Sequence, residues 1–318
     1  MIYLVGPTAV GKTAFGLQLA AIYNAEIISM DSMQIYRGMD IGTAKATPEE
    51  QAAVAHHLLD FQSPNERFTV HDYQTYARQC AKEVLSRGKL PLFVGGTGLY
   101  LSALTKDYRF GEFNVDSQLR SELQAAYIRD GGVSLYRRLQ TVDPKSAQAL
   151  VPADRKKIIR AMEVYLRTGK PLSMHHAADQ AKSEQDASLV LVLTDQREHL
   201  YARINQRVDD MLHRGLVQEN QRLLQEGISH RSQAMQAIGY KEVQWYLRGL
   251  VNYEEMRQLI ARHSRNYAKR QLTWFRKIPN ARWFSRSEYT KKELLAALCS
   301  CIDDFLPTIK KESQIVTL

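Results

Sequence analysis

The chain has 318 residues, with 43 Lys and Arg against 34 Asp and Glu, a formal charge of +9. Apolar residues make up 44% and charged residues 24%, a globular balance that excludes a disordered or fibrous chain. No apolar run approaches the roughly 20 residues of a membrane span, and three cysteines without a CxxC argue against a disulfide scaffold or a structural zinc site. The length suits one large domain or two smaller ones. The cysteine usage favours a reducing, cytoplasmic setting, a monomer is expected, and the strand-like run directly after Met1 argues against a signal or transit peptide.

In chain order, strand-like runs fall at Ile2–Val5, Glu26–Met30, Leu92–Val94, Leu189–Leu193 and Arg282–Phe284. Helical patterns, such as 14–23 and 73–86, lie between the early ones. The alternation predicts an α/β fold with a parallel sheet. From about 112 to 187 the pattern changes to amphipathic helices (Leu119/Leu123/Tyr127, then Ile158/Met162/Tyr165), the second stopped by Gly169-Lys170-Pro171. A helical block between strands of one sheet predicts an inserted subdomain at 112–187, within a core formed by 1–111 and 188–318. Residues 183–188 read as a polar linker.

Gly6, Pro7, Thr8, Ala9, Val10, Gly11, Lys12 and Thr13 match G-x-x-x-x-G-K-[ST] between a strand and a helix. Glycines let backbone N–H groups converge on phosphate oxygens, Lys12 adds a point charge, and Thr13 can ligate Mg²⁺. The motif calls for a polyphosphate without saying which. Ligands of such sheets sit beyond the carboxyl ends of the strands, where Asp31-Ser32-Met33-Gln34 and Gly95-Gly96-Thr97-Gly98 fall. Asp31 could support Mg²⁺ through water or act as a general base. Gln34 offers an amide for an adenine edge, and Thr97 a hydroxyl on a turn that a ligand can approach closely. Asp195 competes as the metal-supporting acid. His56-His57 and His175-His176 read as packing or surface histidines.

The positive charge is concentrated. Ten Lys and Arg and one acid lie between Arg262 and Lys292, so this segment alone carries +9. It also carries Tyr267, Trp274, Phe275, Trp283, Phe284 and Tyr289, a mixture suited to a polyanion with bases to stack. A helix capped by Asn252, with Glu255 three residues on, is predicted to end by Ile278, before Pro279. At about 100° per residue, Met256, Ile260, Tyr267, Trp274 and Ile278 share a buried face. Arg262, Arg265, Lys269 and Arg276 share the opposite, solvated one.

Seven segments together make the chain resemble the bacterial tRNA dimethylallyltransferases, also called tRNA isopentenyltransferases. They are GPTAVGKT at 6–13, DSMQIYRGMDIGTAK at 31–45, HHLLDF at 56–61, LFVGGTGLY at 92–100, RKKIIRAMEVYLRTGKPLS at 155–173, QAIGYKE at 236–242 and KRQLTWFR at 269–276. Lys156 and Lys157 stand where the family often has arginines, and the zinc finger of eukaryotic relatives is lacking. The resemblance implies a P-loop kinase-like core with a helical insertion. It implies transfer of a dimethylallyl group from dimethylallyl diphosphate to N6 of the adenosine 3′ of the anticodon (position 37) in tRNAs reading codons that begin with U. It assigns the general base to Asp31; read from the residues beside it, Lys12 and Mg²⁺ on Thr13 suit the leaving diphosphate, Thr97 the positioning of the reacting groups, and Arg207 a further catalytic cation. It also implies tRNA contacts at Asp31, Ser32, Met33, Gln34, Thr97, Arg120, Lys156, Lys157, Ile158, Ile159, Arg160, Gln236, Gly239, Tyr240, Lys241, Arg262, Arg265, Lys269, Arg270, Gln271 and Arg276.

From the residues alone, Arg207 reads equally as a second cation on the diphosphate or as a surface helix arginine. Three other functions are open on the same footing. A small-molecule kinase would use the phosphate loop with the insertion as a lid. An enzyme that prenylates free AMP would need no basic helix. A nucleic-acid-binding ATPase would use Asp195.

Overall fold

A computed structural model describes residues 1–105, 117–174 and 188–315, with backbone alone for 117 and 308–315. The junction expected at 111/112, the linker up to 187, and His175 and His176 lie outside the described residues.

Six strands form one sheet: β1 (Ile2–Val5), β2 (Ala25–Met30), β3 (His56–His57), β4 (Leu90–Gly95), β5 (Leu189–Thr194) and β6 (Arg282–Ser285). Their order is β3-β2-β4-β1-β5-β6, and every pairing is parallel. β1 and β2 are buried along their whole length and β5 up to Leu193, as strands of a doubly covered parallel sheet should be. This is an α/β, P-loop kinase-like core. Register does the positioning, because Gly95 pairs with both Val5 and Met30. The loops leaving β1, β2 and β4 therefore emerge side by side.

Short β3 follows from an ion cluster more than from strand propensity. Buried Glu26 on β2 meets Arg87 at 2.6 Å, His57 at 2.6 Å and Lys89 at 3.0 Å. The Arg87 hydrogen bond leads in holding its carboxyl at about 2, against a burial penalty. The alternating pattern missed this strand because two histidines carry it.

The chain divides into two units, Met1–Leu101 with Ala187–Leu318, and Ser102–Asp186. Taken by itself, the second contains helices Ser117–Asp130, Val133–Val142, Pro144–Gln148 and Arg155–Thr168. Its core gathers Leu123, Leu135, Leu139, Ile158, Ile159 and Met162. Gly169, at φ 69°, closes the last helix by donating to the Tyr165 carbonyl.

In the first unit, the long helix Tyr253–Phe275 starts at the expected cap, with Asn252 and Glu255 bonding each other's backbone. One expectation about its faces fails. Trp274 is 40% exposed and Phe275 is buried in its place. The buried stripe runs through Met256, Ile260, Ala268, Gln271 and Phe275, and Trp274 lies at its margin over Gly98.

Candidate active site

The phosphate loop owes its shape to its neighbours. A Cβ on Gly6 would lie 2.4 Å from the Leu193 carbonyl oxygen, so the loop can leave β1 this close to β5 only as glycine. Three side chains from later in the chain then hold the loop. Gln271 Oε1 accepts the Thr8 N–H at 2.9 Å, Arg203 donates to the Ala9 carbonyl at 3.0 Å, and Arg286 donates to the Val10 carbonyl at 3.1 Å.

Lys12 Nζ donates to the Gly6 and Pro7 carbonyls at 3.0 and 2.8 Å. Burial, reinforced by the Arg207 charge, lowers its ammonium to about 7, with Asp31 pulling the other way. Thr13 is exposed at the start of helix Lys12–Ile22 and lines the smaller of two cavities. Among the described residues no group of three His, Cys, Asp or Glu is placed to hold a metal unaided. One hydroxyl completed by ligand phosphate oxygens is a donor set that Mg²⁺ accepts.

Asp31 leaves the end of β2, and its Oδ1 accepts the Met33 N–H at 2.9 Å. Beside it, Thr97 Oγ1 accepts the Ser32 N–H at 3.1 Å. The glycines around Thr97 serve protein contacts. A Cβ on Gly95 would strike the Met30 backbone, on Gly96 the Gln271 amide, and on Gly98 the Trp274 ring. The glycines thus let β2 and the long helix pack against this turn, which still meets the smaller cavity at Gly95.

The two cavities meet at this point. One of about 120 Å³ is lined by Gly11, Lys12, Thr13 and His56, among others. The other, about 290 Å³, is walled by Met33, Val208, Met211, Ile238 and Ile260. Thr8, Asp31, Thr43, Arg207 and Tyr267 line both. Arg207 is therefore a cavity residue. Burial lowers its guanidinium from the usual value, against the opposing charge of Asp31. Burial first, then Asp31, raises the Tyr267 phenol.

Several expected contacts are engaged elsewhere. Gln34 Nε2 donates to the Thr43 and Ala44 carbonyls at 3.2 Å each, so its amide shapes the loop instead of presenting an adenine edge. Both ends of the Gln271 amide are bonded within the protein, to Thr8 and Gly96, and the residue is buried. Asp195 accepts from Ser287 and Arg203 at 2.5 Å each and lines neither cavity, which removes it as a competing metal-supporting acid.

The QAIGYKE segment is mainly a brace. Tyr240 is fully buried and donates to Glu219 at 2.6 Å, while Glu219 accepts the N–H groups of Asp40, Ile41 and Gly42. Gly239, at φ 96°, donates to buried Glu242, which also holds His263 and Lys241. Gln236 reaches the larger cavity.

On the basic helix, Arg262, Lys269, Arg270 and Arg276 are exposed. Arg265 departs from the expected solvated face. It is half-buried, bonds Asn205 Oδ1 at 2.6 Å and lies over the Tyr201 ring. In the helical unit, Lys156 and Lys157 are exposed, whereas Arg120 and Arg160 pair with buried Glu163. Ile158 and Ile159 are core residues at 0% and 5% exposure, so the expectation that they touch a ligand is corrected.

A family model described as IPP transferase matches residues 34–278. The chain belongs to the IPP transferase family, a family of prenyltransferase enzymes. It is 46% identical over 292 residues to the tRNA dimethylallyltransferase of Syntrophomonas wolfei, covering 92% of this chain and 93% of that one. It is 45% identical to that of Carboxydothermus hydrogenoformans, over 92% and 94% of the two chains. Among solved structures, the full-length tRNA isopentenylpyrophosphate transferase of Bacillus halodurans is similar, with a TM-score of 0.73, 41% identity and 100% and 99% coverage. A eukaryotic dimethylallyltransferase acting on tRNA aligns with a TM-score of 0.77 and 30% identity, over 90% of this chain and 73% of that one.

Tyr267, Glu219, Arg203 and Arg286 shape the site without a motif to announce them: helical phase places Tyr267 on the packed face, and an isolated Glu or Arg carries no signal.

Proposed function

We propose that this IPP transferase moves a dimethylallyl group from dimethylallyl diphosphate to N6 of the adenosine 3′ of the anticodon, position 37, in tRNAs reading codons that begin with U. The observation that carries the reading is the junction of the two cavities at Asp31 and Arg207. A phosphate-loop chamber there opens onto a chamber with apolar walls. The names of the relatives support tRNA as acceptor.

The diphosphate would occupy the Lys12 side, with its allylic carbon toward Asp31. The C–O bond to diphosphate breaks as the N6–C bond forms, and Asp31 takes the N6 proton. Lys12 and Arg207 stabilise charge growing on the leaving oxygen. Thr13, with diphosphate oxygens, would hold Mg²⁺, which supplies further charge to the departing group. The adenosine must leave its stack to reach this depth, and the exposed Arg262, Lys269, Arg270 and Arg276 would hold the loop's phosphates.

The test is an incubation with Mg²⁺, labelled dimethylallyl diphosphate or labelled ATP, and either tRNA or AMP. Prenylated tRNA is the expected product. Prenylated AMP, or ATP turnover without prenyl product, would replace this reading.

A further inference from the structure

We propose that Gln271 is a positioning residue for the transfer, fixing the spacing between the phosphate loop and the Asp31 turn. The inference rests on the transfer reading above and gives Gln271 a role other than tRNA contact. Its neighbours Lys269 and Arg270 are exposed, but Gln271 is 4% exposed and faces inward. Its Oε1 accepts from Thr8 N at 2.9 Å, and its Nε2 donates to the Gly96 carbonyl at 2.9 Å. Rotating the amide by half a turn would set donor against donor and acceptor against acceptor, so one orientation alone satisfies both loops.

The connection continues to the base. Thr97, next to Gly96, donates its N–H to the Met30 carbonyl at 3.1 Å and accepts the Ser32 N–H on Oγ1 at 3.1 Å. Asp31 lies between Met30 and Ser32 and accepts Met33 N–H at 2.9 Å. A chain of short bonds thus runs from Thr8, on the leaving-group side, to Asp31, on the proton-accepting side. Space is reserved for it, since a Cβ on Gly96 would come within 2.3 Å of Gln271 Nε2. Tyr267, one turn earlier on the same helix, lines both cavities beside Asp31.

The reaction needs nucleophile, base and leaving group in register at once, and a misplacement of about 1 Å can cost roughly 100-fold in rate. Gln271→Met keeps the side-chain length and removes both bonds. Gln271→Glu keeps the acceptor toward Thr8 and sets a second oxygen against the Gly96 carbonyl.

Both variants are assayed beside wild type well below their melting temperatures. The readouts are single-turnover prenylation of tRNA, tRNA Kd, and hydrogen exchange at the Thr8 amide. The expected result is kcat lower by about 10- to 100-fold, tRNA Kd unchanged, and faster exchange at Thr8 in Gln271→Met. Unchanged kcat would overturn the proposal. A rise in tRNA Kd that matches the fall in kcat would make Gln271 a contact residue. Unfolding of Gln271→Met leaves Gln271→Glu to decide, and unfolding of both would make the residue merely structural and overturn the proposal. Wild-type enzyme that transfers nothing to tRNA would overturn the transfer reading instead, a result separate from any difference between variant and wild type.

Discussion

Lys12 Nζ donates to the Pro7 carbonyl at 2.8 Å, so the cation of the phosphate loop folds back onto the loop that carries it. Burial and the Arg207 charge lower this ammonium to about 7 from 10.5. Between those values the unfolded chain binds more protons than the folded one, so the Lys12 contribution to stability grows as pH rises through that window. Anion binding runs the other way, because it requires the charged form. Inorganic pyrophosphate should bind wild type progressively less well as pH rises through about 7. Calorimetric titrations from about pH 6 to about pH 9, with Lys12→Met alongside, check this. A wild-type to mutant affinity ratio that does not vary with pH would place the needed charge on another group.

Asp31→Asn isolates the proton transfer. The asparagine Oδ1 can still accept the Met33 N–H that Asp31 accepts at 2.9 Å, so the turn is preserved. The amide cannot take a proton from N6. Turnover should fall by roughly 10²- to 10⁴-fold, while tRNA affinity measured by filter binding stays near wild type. Equal losses in binding and turnover would make Asp31 a positioning group.

The fold was legible where local chemistry decides it. Continuous apolar runs announced β1 and β5, and Asn252 with Glu255 announced the start of the long helix. Short β3 was not legible, because it depends on Glu26 collecting charges from His57, Arg87 and Lys89, contacts that sequence spacing does not encode. Side-chain placement was legible only where a motif ties residue type to position, as for the Gly6–Thr13 loop after β1 and Asp31 at the end of β2. Gln34 and Gln271 have the right chemistry for an adenine or a tRNA, but distant backbone groups claim them. Likewise, helical phase put Trp274 on the buried face because a 23-residue helix was treated as packing along one straight stripe. The tight contact at Gly98 is what leaves the ring at the margin.

Glu219→Ala should destabilise the protein and loosen the loop in front of the site. The carboxylate accepts the N–H groups of Asp40, Ile41 and Gly42 at 2.9, 2.8 and 3.1 Å, and the Tyr240 hydroxyl at 2.6 Å. Removing it leaves the buried Tyr240 hydroxyl and three partly buried backbone donors without their partner, at a cost of roughly 1–3 kcal/mol. Urea unfolding measures the loss. Because Gln34 bonds the Thr43 and Ala44 carbonyls in the same loop, KM for tRNA should rise as well. Wild-type stability in Glu219→Ala would mean that the loop holds its shape without the carboxylate.

The cations of the basic helix separate into two kinds, and a salt titration distinguishes them. Arg262 and Lys269 are exposed, and as phosphate contacts each would contribute somewhat under about one unit to the slope of log K against log salt. The double variant Arg262→Ala with Lys269→Ala should therefore bind every substrate tRNA more weakly by a similar factor and show a shallower slope. Its melting temperature should stay close to wild type, because neither side chain is packed. Arg265 should behave differently. Its guanidinium bonds Asn205 at 2.6 Å and covers the Tyr201 ring, so Arg265→Ala removes packing along with charge. That variant should melt lower than wild type and change the salt slope less than the double variant does. Parallel salt slopes for wild type and the Arg262/Lys269 double variant would show that the exposed face is solvated surface with no phosphate to hold.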